Sequence, residues 1–141
     1  MNVTRIHPAL IRRKAGVPLF ISRVRAGFPS PADDYLDKKL DLNEFLIKHP
    51  AATFFVNVEG DSMINAGIYS GDILIVDRSL EAKNTNVIVA VLNGEFTVKR
   101  IRKWAGKIFL CPDNEKYSAM EVTPDMDFDV WGVVIYVIHS V

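Results

Sequence analysis

From residue 52 onward the chain is a succession of short apolar runs broken by turn formers, and this pattern restricts its fold more than any other feature. The runs cover residues 52–58, 73–77, 87–92, 95–102, 107–111 and 128–138. Asn93-Gly94, between two of them, predicts a type I′ hairpin, since both turn positions need a positive φ that Asn and Gly tolerate. Ala105-Gly106 is a weaker signal of the same kind. Six short strands joined by tight turns predict a mostly β fold that curls on itself into a single barrel-like domain. One short helix is expected from Asp41-Leu42-Asn43-Glu44, a capping-box-like start with Asp41 as N-cap, ending near His49 ahead of Pro50.

The first 31 residues differ in character. Pro8, Gly16, Pro18, Gly27, Pro29 and Pro31 interrupt them and no periodicity is sustained, which predicts an extended N-terminal arm over 1–30 and one compact domain over 31–141. A total of 141 residues suits one core plus an appendage. The stretch is too short and too broken for a helix-turn-helix reader, so no direct sequence-specific DNA binding is expected. The formal charge of zero hides an asymmetry: residues 1–26 hold Arg5, Arg12, Arg13, Lys14, Arg23 and Arg25 and no acid. Taking those six from the 17 basic residues leaves 11 against 17 acidic ones, so the arm should be attracted to the body. A basic tail touching nucleic acid nonspecifically is the ordinary reading of the same charges.

Cys111 is the only cysteine, which excludes an intrachain disulfide and suits a reducing compartment. No apolar run approaches the roughly 20 residues of a spanning helix, and no apolar segment follows the early basic residues as in a secretory signal. A cytoplasmic protein without membrane contact, metal or other cofactor is expected.

Chemistry is concentrated in two places. Gly60-Asp61-Ser62-Met63 follows an apolar run, and a serine on such a turn can be exposed to an extended peptide, with the backbone N–H groups of Asp61 and Ser62 facing a developing oxyanion. Serine needs a base. His7, His49 and His139 are poorly placed, reading as surface or satisfied residues, whereas a lysine can serve if burial lowers its pKa toward neutrality. Lys99, in Phe96-Thr97-Val98-Lys99-Arg100-Ile101 and 37 positions beyond Ser62, is the candidate. A lysine in a strand is also commonly a solvated edge charge. Alternation puts Lys99 on a face with Glu95, Thr97 and Ile101 and leaves open which face is buried.

With these residues in view, the chain resembles the self-cleaving LexA-like proteins, and within them the SOS-mutagenesis branch. The resemblance runs from about Pro18 to Val137. It is carried by Pro18-Leu19-Phe20, Ala26-Gly27-Phe28-Pro29-Ser30-Pro31, Gly60-Asp61-Ser62-Met63, Gly71-Asp72-Ile73-Leu74-Ile75-Val76-Asp77, Asn93-Gly94-Glu95-Phe96-Thr97-Val98-Lys99 and Val130-Trp131-Gly132-Val133-Val134-Ile135. It implies that Ser62 attacks the carbonyl carbon of Ala26, that neutral Lys99 takes the hydroxyl proton and returns it to the amine of Gly27, and that residues 27–141 are released. It further implies a homodimer, stimulation by the RecA filament on single-stranded DNA, and a processed form that joins a Y-family translesion polymerase subunit. Alanine before the scissile glycine is the LexA pattern, whereas the mutagenesis branch is best known with cysteine there. A non-catalytic dimeric module recruiting repair or replication partners is the alternative; a repressor lacks its DNA reader here, and a signal peptidase lacks its anchor.

Overall fold

A computed structural model of the chain describes residues 1–10, 16–20 and 36–141. Ten strands and one short α-helix follow in order: β1 (Asn2–Pro8), β2 (Gly16–Phe20), β3 (Leu36–Asp41), α1 (Leu42–Leu46), β4 (Thr53–Glu59), β5 (Ile73–Asp77), β6 (Val87–Leu92), β7 (Glu95–Trp104), β8 (Lys107–Cys111), β9 (Met120–Val122) and β10 (Phe128–Ile138). The mostly β fold expected from the sequence is the fold observed. Contacts divide the chain into one unit of Met1–Ala9 with Ala51–Val141 and a second of Leu10–Pro50.

In the larger unit the strand order is β1-β4-β5-β10-β6-β7-β8-β9, and β1 also pairs with β7. The first six of these strands therefore close into a barrel, and Asn2 opposite Thr97 completes the ring. Closure removes the free edges that an open sheet would expose. Two buried clusters pack on opposite faces of the sheet. β6 serves both: Val89 packs into one, with Val56, Leu74, Val76 and Val98, while Ile88 and Ala90 face the other, with Ile101, Leu110 and Val133. A strand covered on both faces has no polar side to show, which is why 87–92 reads as one apolar run. Each large apolar side chain so buried contributes about 1.5–3 kcal/mol. Both expected hairpin turns form, with φ of 50° and 83° at Asn93 and Gly94 and of 52° and 74° at Ala105 and Gly106.

Two expectations differ in detail. Asp41 caps α1 as predicted, its carboxylate accepting from the backbone N–H groups of Asn43 and Glu44, but the helix ends at Leu46, with Ile47 already extended at φ −120° and ψ 102°. The opening residues, expected to belong to an extended arm apart from the domain, form β1 antiparallel to β4. Their apolar positions Val3 and Ile6 are three apart, an odd spacing for one face of a strand. A register shift between Val3 and Arg5 lets both pack on the same core cluster, and that shift is what hid the strand from a two-residue periodicity. Arg12, Arg13, Lys14, Arg23 and Arg25 lie outside the described residues, so the expected attraction of the arm to the body is not on view.

The packing leaves little slack around β10. A Cβ on Gly132 would stand 2.5 Å from Cγ1 of Val76, a side chain with no exposed surface, and 3.3 Å from Cγ of Arg78. Gly132→Ala is expected to cost about 1–3 kcal/mol, measured by urea unfolding, because the clash falls on a packed neighbour rather than on a mobile chain end.

Candidate active site

Strand β4 ends at Glu59, and the chain then turns sharply through Gly60, whose φ of 106° suits glycine alone. Ser62 follows, 4% exposed, and Met63 and Ile68 anchor the far side of the turn in the core. A single turn of 3-10 helix over Ile64–Ala66 ends at Gly67, at φ 78°. The serine is thus held between a strand end and two buried apolar side chains.

Lys99 reaches the same place from β7. Val98 and Ile101 on that strand are buried, and Thr97 and Lys99 are half-buried. The Lys99 ammonium or amine lies 3.0 Å from Ser62 Oγ, 3.3 Å from Thr97 Oγ1 and 3.1 Å from the Val98 carbonyl oxygen. Burial pushes its pKa below the ordinary lysine value, and hydrogen bonding with the Met1 amine offsets part of that shift. The α-amine of Met1 donates to Ser62 Oγ at 2.6 Å. Its pKa falls to about 5, first through burial and then through its bond with Lys99. An amine that burial makes easier to deprotonate, within hydrogen-bond reach of a buried hydroxyl, can take that hydroxyl's proton.

Sequence reasoning named Ser62 and Lys99, and the structure brings them together. Asp61 stands at the mouth of the turn. Ala26 and Gly27 lie outside the described residues. His139 is engaged by another group: its Nδ1 pairs with the buried carboxylate of Asp72 at 2.5 Å, and Asp72 also accepts from the Tyr69 N–H. Among the described residues no cluster of His, Cys, Asp and Glu could hold a metal ion, and no helix is long and apolar enough to cross a membrane.

Four participants escaped the sequence reading. Met1 and Thr97 gave no local sign. The other two belong to the segment after β8, which straps the turn from outside. Asn114 Nδ2 donates to the Asp61 carbonyl oxygen at 2.8 Å, and the Tyr117 hydroxyl donates to the Asp61 carboxylate at 2.5 Å, which raises the Tyr117 pKa. Asn65 donates its backbone N–H to the Asp113 carbonyl at 2.8 Å, and the Asp113 carboxylate is gripped by Arg100, the neighbour of Lys99, at 2.7 Å. The strap therefore ties the serine's turn at both ends to the strand that carries the lysine. Asn114→Ala is expected to slow any reaction of Ser62 about 10- to 100-fold with a thermal midpoint close to that of the wild type, since sub-ångström displacement of a reacting atom is costly. Gel densitometry of the cleaved product checks it.

Comparison with known proteins identifies the family. A family profile described as Peptidase S24-like matches residues 18–135. The chain belongs to the Peptidase S24-like family. Among relatives, Protein MucA of Salmonella typhimurium is 40% identical over 125 residues, covering 88% of this chain and 85% of that protein. Protein SamA of Salmonella typhimurium is 44% identical over 123 residues, covering 87% and 85%. The LexA repressor of Paracidovorax citrulli is 38% identical over 120 residues, which is 85% of this chain and 53% of the repressor. The relatives put this family member with the UmuD-like proteins, as the resemblance in the sequence implied. Serine peptidase activity of the LexA-like, self-cleaving kind follows from the family, together with a general role in SOS mutagenesis.

Proposed function

We propose that the chain is a Ser/Lys-dyad peptidase that cuts itself between Ala26 and Gly27. The observation that carries the reading is the 3.0 Å approach of Lys99 Nζ to a buried Ser62 Oγ. Neutral Lys99 accepts the Ser62 proton as Oγ bonds to the Ala26 carbonyl carbon. The backbone N–H groups of Asp61 and Ser62 stabilise the oxyanion of the tetrahedral intermediate. Collapse breaks the C–N bond while Lys99 returns the proton to the Gly27 nitrogen, and water, deprotonated by the same amine, hydrolyses the acyl-serine. Small residues on both sides of the scissile bond let an extended segment enter a narrow cleft.

In this reading the processed 27–141 form, as a cytoplasmic homodimer, acts as an accessory subunit of a Y-family translesion polymerase after DNA damage, and the RecA filament on single-stranded DNA stimulates cleavage. The similarity to MucA and SamA supports that context. Incubation of the purified chain at alkaline pH, with and without RecA filaments, should yield a fragment lacking 26 residues by mass spectrometry. An intact mass under both conditions overturns the proposal.

A further inference from the structure

Of the 11 basic residues beyond residue 26, five lie between residues 96 and 112, a stretch without a single acid. Taking those five away leaves 6 basic residues against 17 acidic ones in the rest of 27–141, so positive charge in this part of the chain is concentrated on one hairpin. Lys99 belongs to the active site and Arg100 is held by Asp113, which leaves Arg102, Lys103 and Lys107 on the outer part of β7 and β8. Every residue from Arg102 to Lys107 is exposed, and Trp104, directly before the Ala105-Gly106 turn, is 74% exposed. A single exposed aromatic is ordinary on a protein surface. An indole set among cations at the end of a hairpin is a more specific arrangement.

The register of β7 with β8 is unbroken, so residues opposite each other share a face. Arg102 stands opposite Phe109 and Trp104 opposite Lys107, which puts Arg102, Trp104 and Lys107 on one side. Arg102 and Trp104 are two residues, about 7 Å, apart along the strand. Among the described residues, neither the Arg102 guanidinium nor the Trp104 indole has a hydrogen-bond, ion-pair or ring partner. Lys107 is loosely paired, 3.8 Å from an exposed Glu121. The hairpin itself is braced: the Lys103 N–H donates to Asn84 Oδ1 at 2.8 Å, and Lys103 Nζ donates to the Ala82 carbonyl oxygen at 3.0 Å. The platform is therefore set before a ligand arrives, which lowers the ordering cost of binding. Toward the strap, Arg102 also borders a groove of about 590 Å³, where Tyr117 exposes a second ring and Glu115 would repel a phosphate.

We propose that the tip of the hairpin of β7 and β8 is a contact site for single-stranded nucleic acid, with Trp104 stacking on a base and Arg102 and Lys107 holding phosphates. Charge complementarity gives the sign of the partner, and the ring gives its kind. An acidic polypeptide offers carboxylates without a flat face for the indole, and in a duplex the base faces are already stacked on one another. Stacking tolerates any sequence because every base has a π face, so contact without an operator is expected. The hairpin lies within 27–141, and its role does not depend on the peptidase reading.

The test titrates a fluorescein-labelled oligothymidylate of about 20 nucleotides with the full Ser62→Ala chain and reads its anisotropy. The cations of residues 1–26 are the same in every variant, so a difference between variants reports on the hairpin. Trp104→Ala is expected to weaken binding about 5- to 100-fold, and Trp104→Phe, which keeps a ring, to recover most of the loss. Arg102→Gln should lower the slope of log K against log salt by about 0.7, the loss of one phosphate contact on a single strand. Both side chains are exposed, so circular dichroism should show each variant folded. Unlabelled oligothymidylate should also quench indole emission in the parent and not in Trp104→Phe. A loss smaller than about 5-fold in Trp104→Ala overturns the proposal. So does a duplex of the same length bound as tightly as the single strand. Displacement of the oligonucleotide by poly-glutamate at equal charge concentration overturns it too, because the tip would then be a surface for acidic polypeptide.

Discussion

Ser62→Ala is expected to leave the chain at its full 141 residues under every condition in which the wild type yields the 27–141 fragment. The fall in rate should be about 10⁴-fold or more, because removing the nucleophile takes away the covalent route and leaves only positioning and oxyanion stabilisation. The substitution removes one oxygen from a turn that is otherwise held by its own framework. Met63 and Ile68 stay in the core, Asn114 and Tyr117 still bind Asp61, and Asn65 still meets Asp113. The variant should therefore melt close to the wild type, and circular dichroism would separate a dead site from an unfolded chain. Cleavage of Ser62→Ala at the wild-type rate sinks the nucleophile assignment.

Lys99 carries the second large effect. Lys99→Ala should slow cleavage by about 10²–10⁴-fold, the range for loss of a general base. Lys99→Arg should be no better, since a guanidinium does not give up its charge. The pH dependence follows from the direction of the pKa shift. Burial lowers the Lys99 pKa from 10.5, so the neutral amine is populated at lower pH than in an ordinary lysine. The rate should rise with pH through the lowered value and level off above it, whereas an unshifted lysine would go on gaining up to about pH 10.4. A rate that falls with rising pH contradicts the assignment.

Stability should move with the same titration. The folded pKa lies below the unfolded one, so between the two values the unfolded chain binds more protons and stability rises with pH. Below the folded value the cost of burying a charged amine is felt in full, and above 10.5 it is gone. Lys99→Met, which keeps much of the volume without the charge, should melt at or above the wild-type temperature near neutral pH, with the difference narrowing on the alkaline side. A binding module with an idle serine would instead keep its partner binding in Lys99→Ala, and pull-down alongside the cleavage gel distinguishes the two.

Much of the barrel was legible because its signals are local. The runs at 73–77, 87–92, 107–111 and 128–138 appear as strands with those bounds, since a strand buried on one or both faces must be apolar along its length or at alternate positions. Asn93-Gly94 and Ala105-Gly106 declare their turns through the positive φ that each requires. The Asp41 cap is local for the same reason: its carboxylate reaches N–H groups two and three residues on. The pairing of β2 with β3 was not legible, nor was β9, a three-residue strand that pairs with β8.

Residue types and their order determined the candidate chemistry: a Gly-Asp-Ser turn, a lysine among β-formers, and no histidine with a carboxylate in a usable place. Only the tertiary structure decided that Ser62 and Lys99 meet. Their 37-residue separation is closed by Asn2, which pairs with the end of β4 on one side and with Thr97 of β7 on the other. Hydrogen bonds between strands distant in sequence leave no periodicity, because backbone groups are the same in every residue. The same holds for the strap, where Asn114 and Tyr117 act on Asp61 across more than fifty residues, and for Met1, whose position beside the serine depends on a shifted register rather than on any pattern of side chains.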